Sequence, residues 1–150
     1  MNIESISVKK TIVYVDGVFD LTHYGHYNLF KQAKTNGDIL FVGVLSDNEC
    51  ENYKRKPILT EEERYNNVGC SRDVDMVIKG VPNVVSEEFI NKYNIDIVCH
   101  AHTLEEHDKY KYQYIDAMKL NKFRRLEYTT TISTTDIINR IKERYINKYK

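Results

Sequence analysis

Two histidines, His23 and His26, stand three positions apart around Gly25 in the segment Val15-Asp16-Gly17-Val18-Phe19-Asp20-Leu21-Thr22-His23-Tyr24-Gly25-His26. A β-branched run, Thr11 to Val15 (TIVYV), feeds directly into it. At the start of a helix, that spacing sets both rings near one face of the first turn. A helix start also offers unpaired backbone N–H groups and the positive end of the helix dipole. Gly25 lets a ligand come close to the backbone. Imidazole donors, free N–H groups and an open backbone suit an anionic, phosphate-like group. Zinc is the rival reading, but no Cys or third His is placed to complete a four-ligand set. Either histidine taken singly could be structural. The pair at a strand-to-helix junction favours a phosphate site.

The elements that must position this pair read as an alternation of strands and helices. Strand-like runs are Thr11 to Val15, Ile39 to Val44 (ILFVGV), Val74 to Ile78, Ile95 to Cys99 (IDIVC) and Arg125 to Tyr128. Between them lie helical patterns. Tyr24 to Lys34 ends at Gly37, a C-cap signal. Thr60 to Val68 opens on the capping-box pattern Thr-Glu-Glu-Glu, Ser86 to Tyr93 on Ser-Glu-Glu. Tyr110 to Leu120 follows, and then an amphipathic helix, Thr134 to Tyr149, with Ile137, Ile138, Ile141 and Tyr145 on one stripe. Strands alternating with helices predict an α/β fold: a Rossmann-like, doubly wound, five-stranded parallel sheet with helices on both faces. In such sheets ligands bind beyond the carboxyl ends of the strands, at the switch in strand order. The His23–His26 segment falls at such an end.

Composition narrows the function classes. The chain has 150 residues and is 41% hydrophobic, which suits one domain, 1–150, with a sizeable core. Lys+Arg and Asp+Glu both number 22. A zero net charge argues against a general nucleic-acid-binding surface while leaving room for a local basic pocket. Cys50, Cys70 and Cys99 are odd in number, widely spaced and outside any CxxC pair, so reduced thiols in the cytoplasm are expected. The polar start, MNIESISVKK, reads as neither signal peptide nor anchor. No apolar run approaches the ~20 residues of a membrane span, so no membrane insertion is expected.

The segment Val13 to His26 resembles the HxGH signature of the cytidylyltransferase family, whose members handle phosphocholine, phosphoethanolamine and glycerol 3-phosphate. The likeness continues through Gly37-Asp38, Val42-Gly43-Val44, Ser46-Asp47, Lys54, Thr60-Glu61-Glu62-Glu63-Arg64-Tyr65, Arg72-Asp73-Val74-Asp75, Tyr93 to His100, and Ile132-Ser133-Thr134-Thr135-Asp136-Ile137-Ile138. It implies an in-line attack by a substrate phosphate oxygen on the α-phosphorus of CTP, with loss of pyrophosphate. By the same resemblance His23, His26 and Lys54 are the catalytic groups. Gly17, Phe19, Arg64, His100, Ser133, Thr134 and Thr135 join the histidines in binding nucleotide, and Asp16 joins Lys54 in binding the phosphorylated alcohol. Lys54 can also be read as a solvated residue of the basic stretch YKRK, Arg64 as a buttress of the site or as one member of a helix-surface ion pair, and Asp16 as a cap of the turn before Phe19. Ser133 caps a helix on sequence grounds alone, through S-x-x-D. Mg²⁺ is expected with the triphosphate and no protein metal ligand is expected. A homodimer joined at Arg72 to Asp75 is implied.

The resemblance breaks in places. Tyr128-Thr129-Thr130-Thr131 stands where relatives carry Arg-Thr-Glu-Gly, with Arg124 and Arg125 as nearby replacements for the arginine. His100-Ala101-His102-Thr103 also departs from the family pattern, and Asn83 replaces an aromatic residue that a quaternary ammonium would favour. Asn83, with Tyr24 and the Gly37-Asp38 turn resembling the ethanolamine enzymes, ranks phosphoethanolamine first, phosphocholine second and glycerol 3-phosphate third. The loss of Arg-Thr-Glu-Gly also keeps open a nucleotide-binding paralogue without catalysis.

Overall fold

The structure, a computed structural model, describes residues 7–53, 55–146 and 148. Five strands, β1 (Ile12–Gly17), β2 (Ile39–Leu45), β3 (Met76–Val81), β4 (Ile97–Ala101) and β5 (Phe123–Leu126), form one sheet in the order β3-β2-β1-β4-β5. Every pairing is parallel. The strand order reverses between β1 and β4, so the switch point lies at their carboxyl ends.

Strand parity builds the two faces. Val13 and Val15 of β1, with Leu40, Val42 and Val44 of β2, face one way. They pack with Phe30 and Ala33 of α1 (Tyr24–Lys34) and with Tyr65 and Val68 of α3 (Glu61–Gly69). Tyr14 and Val98 face the other way. There they meet Cys50 of α2 (Asp47–Tyr53), Ile90 of α4 (Glu87–Lys92), and Tyr114 and Ala117 of α5 (His107–Lys119). The fold is therefore the doubly wound α/β sheet expected from the alternation.

Several boundaries differ from the sequence reading. β3 starts at Met76, not Val74, because Asp75 closes off the strand mouth: its carboxylate accepts from Leu40 N–H at 2.7 Å and pairs with Lys34. β3 also runs on through a bulge at Gly80 (φ 65°), where the register with β2 slips by one residue. β5 is Phe123–Leu126, so Tyr128 lies beyond the sheet. α2 is an additional helix with only Cys50 buried, and so shows no apolar stripe. The last helical segment is α6 (Thr134–Ile141) followed by a π turn, Lys142–Ile146; Tyr149 lies outside the described residues. Ile141 and Tyr145 of its stripe are exposed. The three cysteines are free, with Cys50 and Cys99 buried and Cys70 exposed.

Candidate active site

β1 ends at Gly17 and the chain turns sharply before α1. Phe19 and Leu21 hold left-handed backbone angles, φ 54° and 46°, conformations that persist only where their surroundings enforce them. Phe19 supplies the enforcement. Its ring is 4% exposed, lies edge-on to His26 at 5.4 Å, and packs on Phe30 at 5.1 Å. A Cβ at Gly17 would come within 3.0 Å of that ring, so glycine makes room for it.

His23 is the N-cap residue of α1. The N–H of Gly25 donates to His23 Nδ1 at 3.1 Å, and the N–H of His23 donates to His26 Nδ1 at 3.3 Å. The two side chains thus form a reciprocal capping box, the arrangement usually made by Ser/Thr and Glu. A backbone N–H can only donate, so both Nδ1 atoms are unprotonated and each neutral ring carries its proton on Nε2. The rings stack with centroids 3.9 Å apart. Burial, and then the neighbouring His23, holds His26 down at about 3; burial also lowers His23. At neutral pH the pair is therefore two uncharged donors whose orientation the helix start fixes.

These donors border a cavity of about 310 Å³ at the carboxyl end of the sheet. Gly17, Phe19, His23, His26, Ser133, Thr134 and Thr135 all line it, so seven of the expected site residues come together. Ser133 caps α6, accepting from Asp136 N–H at 3.1 Å. Thr134 Oγ1 donates to the carbonyl of Asp20 at 2.9 Å and lies 3.4 Å from His23 Nε2. The starts of α1 and α6 thus border the same space; the Gly25 and His26 amides of α1 are taken up by His23, so the start of α6 and the imidazole Nε2–H groups are what an anion there meets.

Three expected residues are placed elsewhere. Arg64 is fully buried and does not line the cavity. Its guanidinium donates to the carbonyls of Val18 (2.7 Å), Leu45 (2.8 Å) and Leu59 (3.3 Å) and to Asp47 (2.8 Å). With four of its five N–H groups so committed, it acts as the buttress of the loop after β1. Asp16 shares the parity of Tyr14, so its carboxylate turns toward α5, where Tyr114 Oη donates to it at 2.6 Å. Burial pushes its pKa up to about 7, against the lowering effect of that hydrogen bond. His100 shares the parity of Val98 and packs, with tilted rings, against Tyr110 and Tyr114. Its Nδ1 lies 2.8 Å from His102 Nδ1, and His102 Nε2 lies 3.0 Å from His107 Nδ1. Lys54 lies outside the described residues.

The two replacement arginines also point away. Arg124 donates to Asn36, and Arg125 to the His102 carbonyl and Glu127. Sequence reasoning passed over Asp20 and Arg55, which both line the cavity. The Asp20 carboxylate accepts from the N–H groups of Ile58 and Leu59 at 2.8 and 2.9 Å. The nearest signal for Arg55 was its place beside Lys54 in YKRK.

Residues 14–140 match the cytidylyltransferase-like family model. An ethanolamine-phosphate cytidylyltransferase of Dictyostelium discoideum is 40% identical over 134 residues, covering 89% of this chain and 37% of that protein. Choline-phosphate cytidylyltransferase 2 of Arabidopsis thaliana is 37% identical over 153 residues, covering 97% and 49%. The chain thus spans less than half the length of these curated relatives. Among solved structures, the lipopolysaccharide core biosynthesis protein from Thermoplasma volcanium GSS1 superposes with a TM-score of 0.65 at 25% identity, covering 81% of this chain and 99% of that one. With the histidine-capped helix at the switch point and a family match running from β1 into α6, the chain belongs to the cytidylyltransferase-like family.

Proposed function

We propose that this chain, acting as one nucleotidyltransferase domain, transfers CMP from CTP to a small phosphorylated alcohol, phosphoethanolamine before phosphocholine, and releases pyrophosphate. The observation that carries this reading is the reciprocal histidine cap, which leaves two Nε2–H donors at a cavity also bordered by the start of α6. A phosphate oxygen of the alcohol substrate attacks the α-phosphorus, and the bond from that phosphorus to the pyrophosphate oxygen breaks. The nucleophile is already an anion, so no general base is required. Positioning and charge stabilisation are what the protein must supply. The neutral imidazoles donate to phosphoryl oxygens as negative charge shifts onto the leaving group. The names of the relatives support the alcohol class. Lys54, by its place in the motif, is proposed to bridge the two substrates.

Mg²⁺ is proposed to enter on the triphosphate. Among the described residues no group of three His, Cys, Asp or Glu side chains could hold a metal ion. The cavity carboxylates are engaged already, Asp20 by backbone amides and Glu127 by Arg125. No helix among the described residues is long and apolar enough to cross a membrane, and a cytoplasmic site of action is part of the proposal.

A homodimer is proposed through the face around Ser71, Arg72 and Asp73. A second cavity, of about 330 Å³, runs between these residues and Tyr24, Tyr27, Asn28 and Lys31 of α1. The Tyr24 and Tyr27 rings are exposed there. Asp75 belongs to the fold through Lys34 and Leu40, so the contact centres on residues 71–73.

A second reading, nucleotide binding without turnover, is favoured by Tyr128 at the cavity and by the commitment of Arg124 and Arg125 to other partners. Pyrophosphate release from CTP and Mg²⁺, measured with phosphoethanolamine, phosphocholine and glycerol 3-phosphate in turn, separates the two. Turnover with phosphoethanolamine above the other alcohols is expected. CTP binding with no release on any alcohol would establish the second reading instead.

A further inference from the structure

We propose that Arg55 grips the polyphosphate tail of the nucleotide at the mouth of the active-site cavity. The inference rests on the nucleotide reading above and adds to it a residue that the motif likeness did not single out.

Among the described residues lining the cavity, Arg55 is the one permanent cation. The others with titratable side chains are Asp20, Glu127, the two neutral histidines and Tyr128. A triphosphate brings several negative charges into this space, more than the neutral donors of the described lining offset, so a further cation beside Mg²⁺ and Lys54 is favoured there. Arg55 is also available. It is exposed, and among the described residues it has no ion-pair partner. Arg64, Arg124 and Arg125, by contrast, are spent on backbone carbonyls, Asn36, Asp47 and Glu127.

The chain just after Arg55 is held firmly, which fixes where the guanidinium can reach. Pro57 is buried. The next two backbone N–H groups, of Ile58 and Leu59, donate to the Asp20 carboxylate, and Arg64 donates to the Leu59 carbonyl. The carbonyl of that same Asp20 receives the Thr134 hydroxyl. One buried residue therefore sets the distance between the Arg55 segment and the start of α6. A polyphosphate lying between them meets N–H groups on one side and a forked cation on the other. Arginine suits this position because its fork offers two parallel donors to one phosphate.

The test is titration calorimetry in Mg²⁺ buffer on the wild type, Arg55→Ala, Arg55→Lys and Arg55→Ala combined with Tyr128→Arg. The ligands are CTP, ATP, CMP and pyrophosphate. Removing a charge-assisted bidentate contact should weaken CTP and pyrophosphate by about tenfold or more. CMP, lacking the tail, should change by less than about twofold, a selectivity that a loss of folding would not produce. Arg55→Lys should recover part of the affinity, and Tyr128→Arg should recover it from across the cavity. Unchanged CTP and pyrophosphate affinities in Arg55→Ala overturn the assignment, as does an equal loss for CMP. If the wild type binds ATP as tightly as CTP and both weaken in Arg55→Ala, the cytidine reading fails while the role of Arg55 stands. No binding of any of these ligands to the wild type overturns both.

Discussion

His23 and His26 serve as cap and as donors at once. Each gives its Nδ1 to a backbone N–H, which commits the Nε2 proton to the cavity side of the ring. The proposed transition state draws on that proton, so replacing either ring should cost turnover more than affinity. His23→Ala and His26→Ala are each expected to lower kcat about 100-fold, the usual loss for one such donor, while calorimetric CTP affinity falls much less. Near-normal kcat with only a raised KM would remove that residue from the mechanism. The pair was legible in the sequence because its geometry is local: spacing along one helix turn and a preceding strand. Asp16, Arg64 and His100 were not, because remote residues decide what they meet. Tyr114 lies 98 positions from Asp16, and Leu45 lies 19 from Arg64.

At the scale of elements, parity and small residues govern how the sheet delivers these side chains. β1 is buried on both faces, and its central residues alternate between the two helical layers. The Tyr14 ring leans over Gly43 of the neighbouring strand, where an added Cβ would meet Tyr14 Oη at 2.2 Å and the ring at 2.8 Å. Tyr14 is 1% exposed, so any shift of its ring has to be taken up by the core around it. Gly43→Ala should therefore destabilise the fold by about 1–3 kcal/mol, the usual cost of overpacking, read as a lower urea midpoint. Tyr14→Phe in the same chain should recover part of the loss by removing the closest atom. A Gly43→Ala protein with wild-type stability would show that β1 and β2 are not clamped as described. Alternation and capping residues made most elements readable, and Thr60–Glu63 forms its box in full. α2 was missed because it buries a single residue, and the ends of β3 and β5 shifted because Asp75 and the exit of Tyr128 are tertiary events.

For the whole molecule, buried titratable groups link stability to acidity. Burial holds His26 and His100 at about 3, against 6.5 for a free imidazole. Below pH 6.5 the unfolded chain takes up protons at these sites and the folded chain does not, so stability falls as pH drops from about 6.5 toward 3. Each fully shifted group contributes about 1.4 kcal/mol per pH unit in that window. Asp16 works in the opposite sense: raised from 3.8 to about 7, its contribution is present below 3.8 and lost as pH rises toward 7. Two histidines against one carboxyl leave a net loss of about 1.4 kcal/mol per unit on acidification. The urea midpoint should accordingly drop between about pH 6.5 and pH 4.5. A flat profile there would mean that the imidazoles are already charged in the folded chain. Assembly is tested at this scale too. Light scattering at micromolar concentration should give twice the chain mass, and Arg72→Glu should reduce it to one; a monomeric wild type counts against the proposed face.

The sequence by itself determined the parallel α/β class, the capped helices and the histidine pair, since each follows from the order of apolar residues or from groups a few positions apart. Only the tertiary structure decided which charges reach the ligand space. Arg64 lost its place there to the carbonyls of three separate segments, and Asp16 and His100 turned toward α5 with the parity of their strands. Arg55, not singled out within the basic stretch YKRK, arrived because Asp20 binds the backbone that follows it. Both faces of the sheet are buried by helices. Periodicity therefore shows that neighbouring residues point apart without showing which of them meets the cavity; that is fixed by the helix docked on each face and by the loops that close over the strand ends.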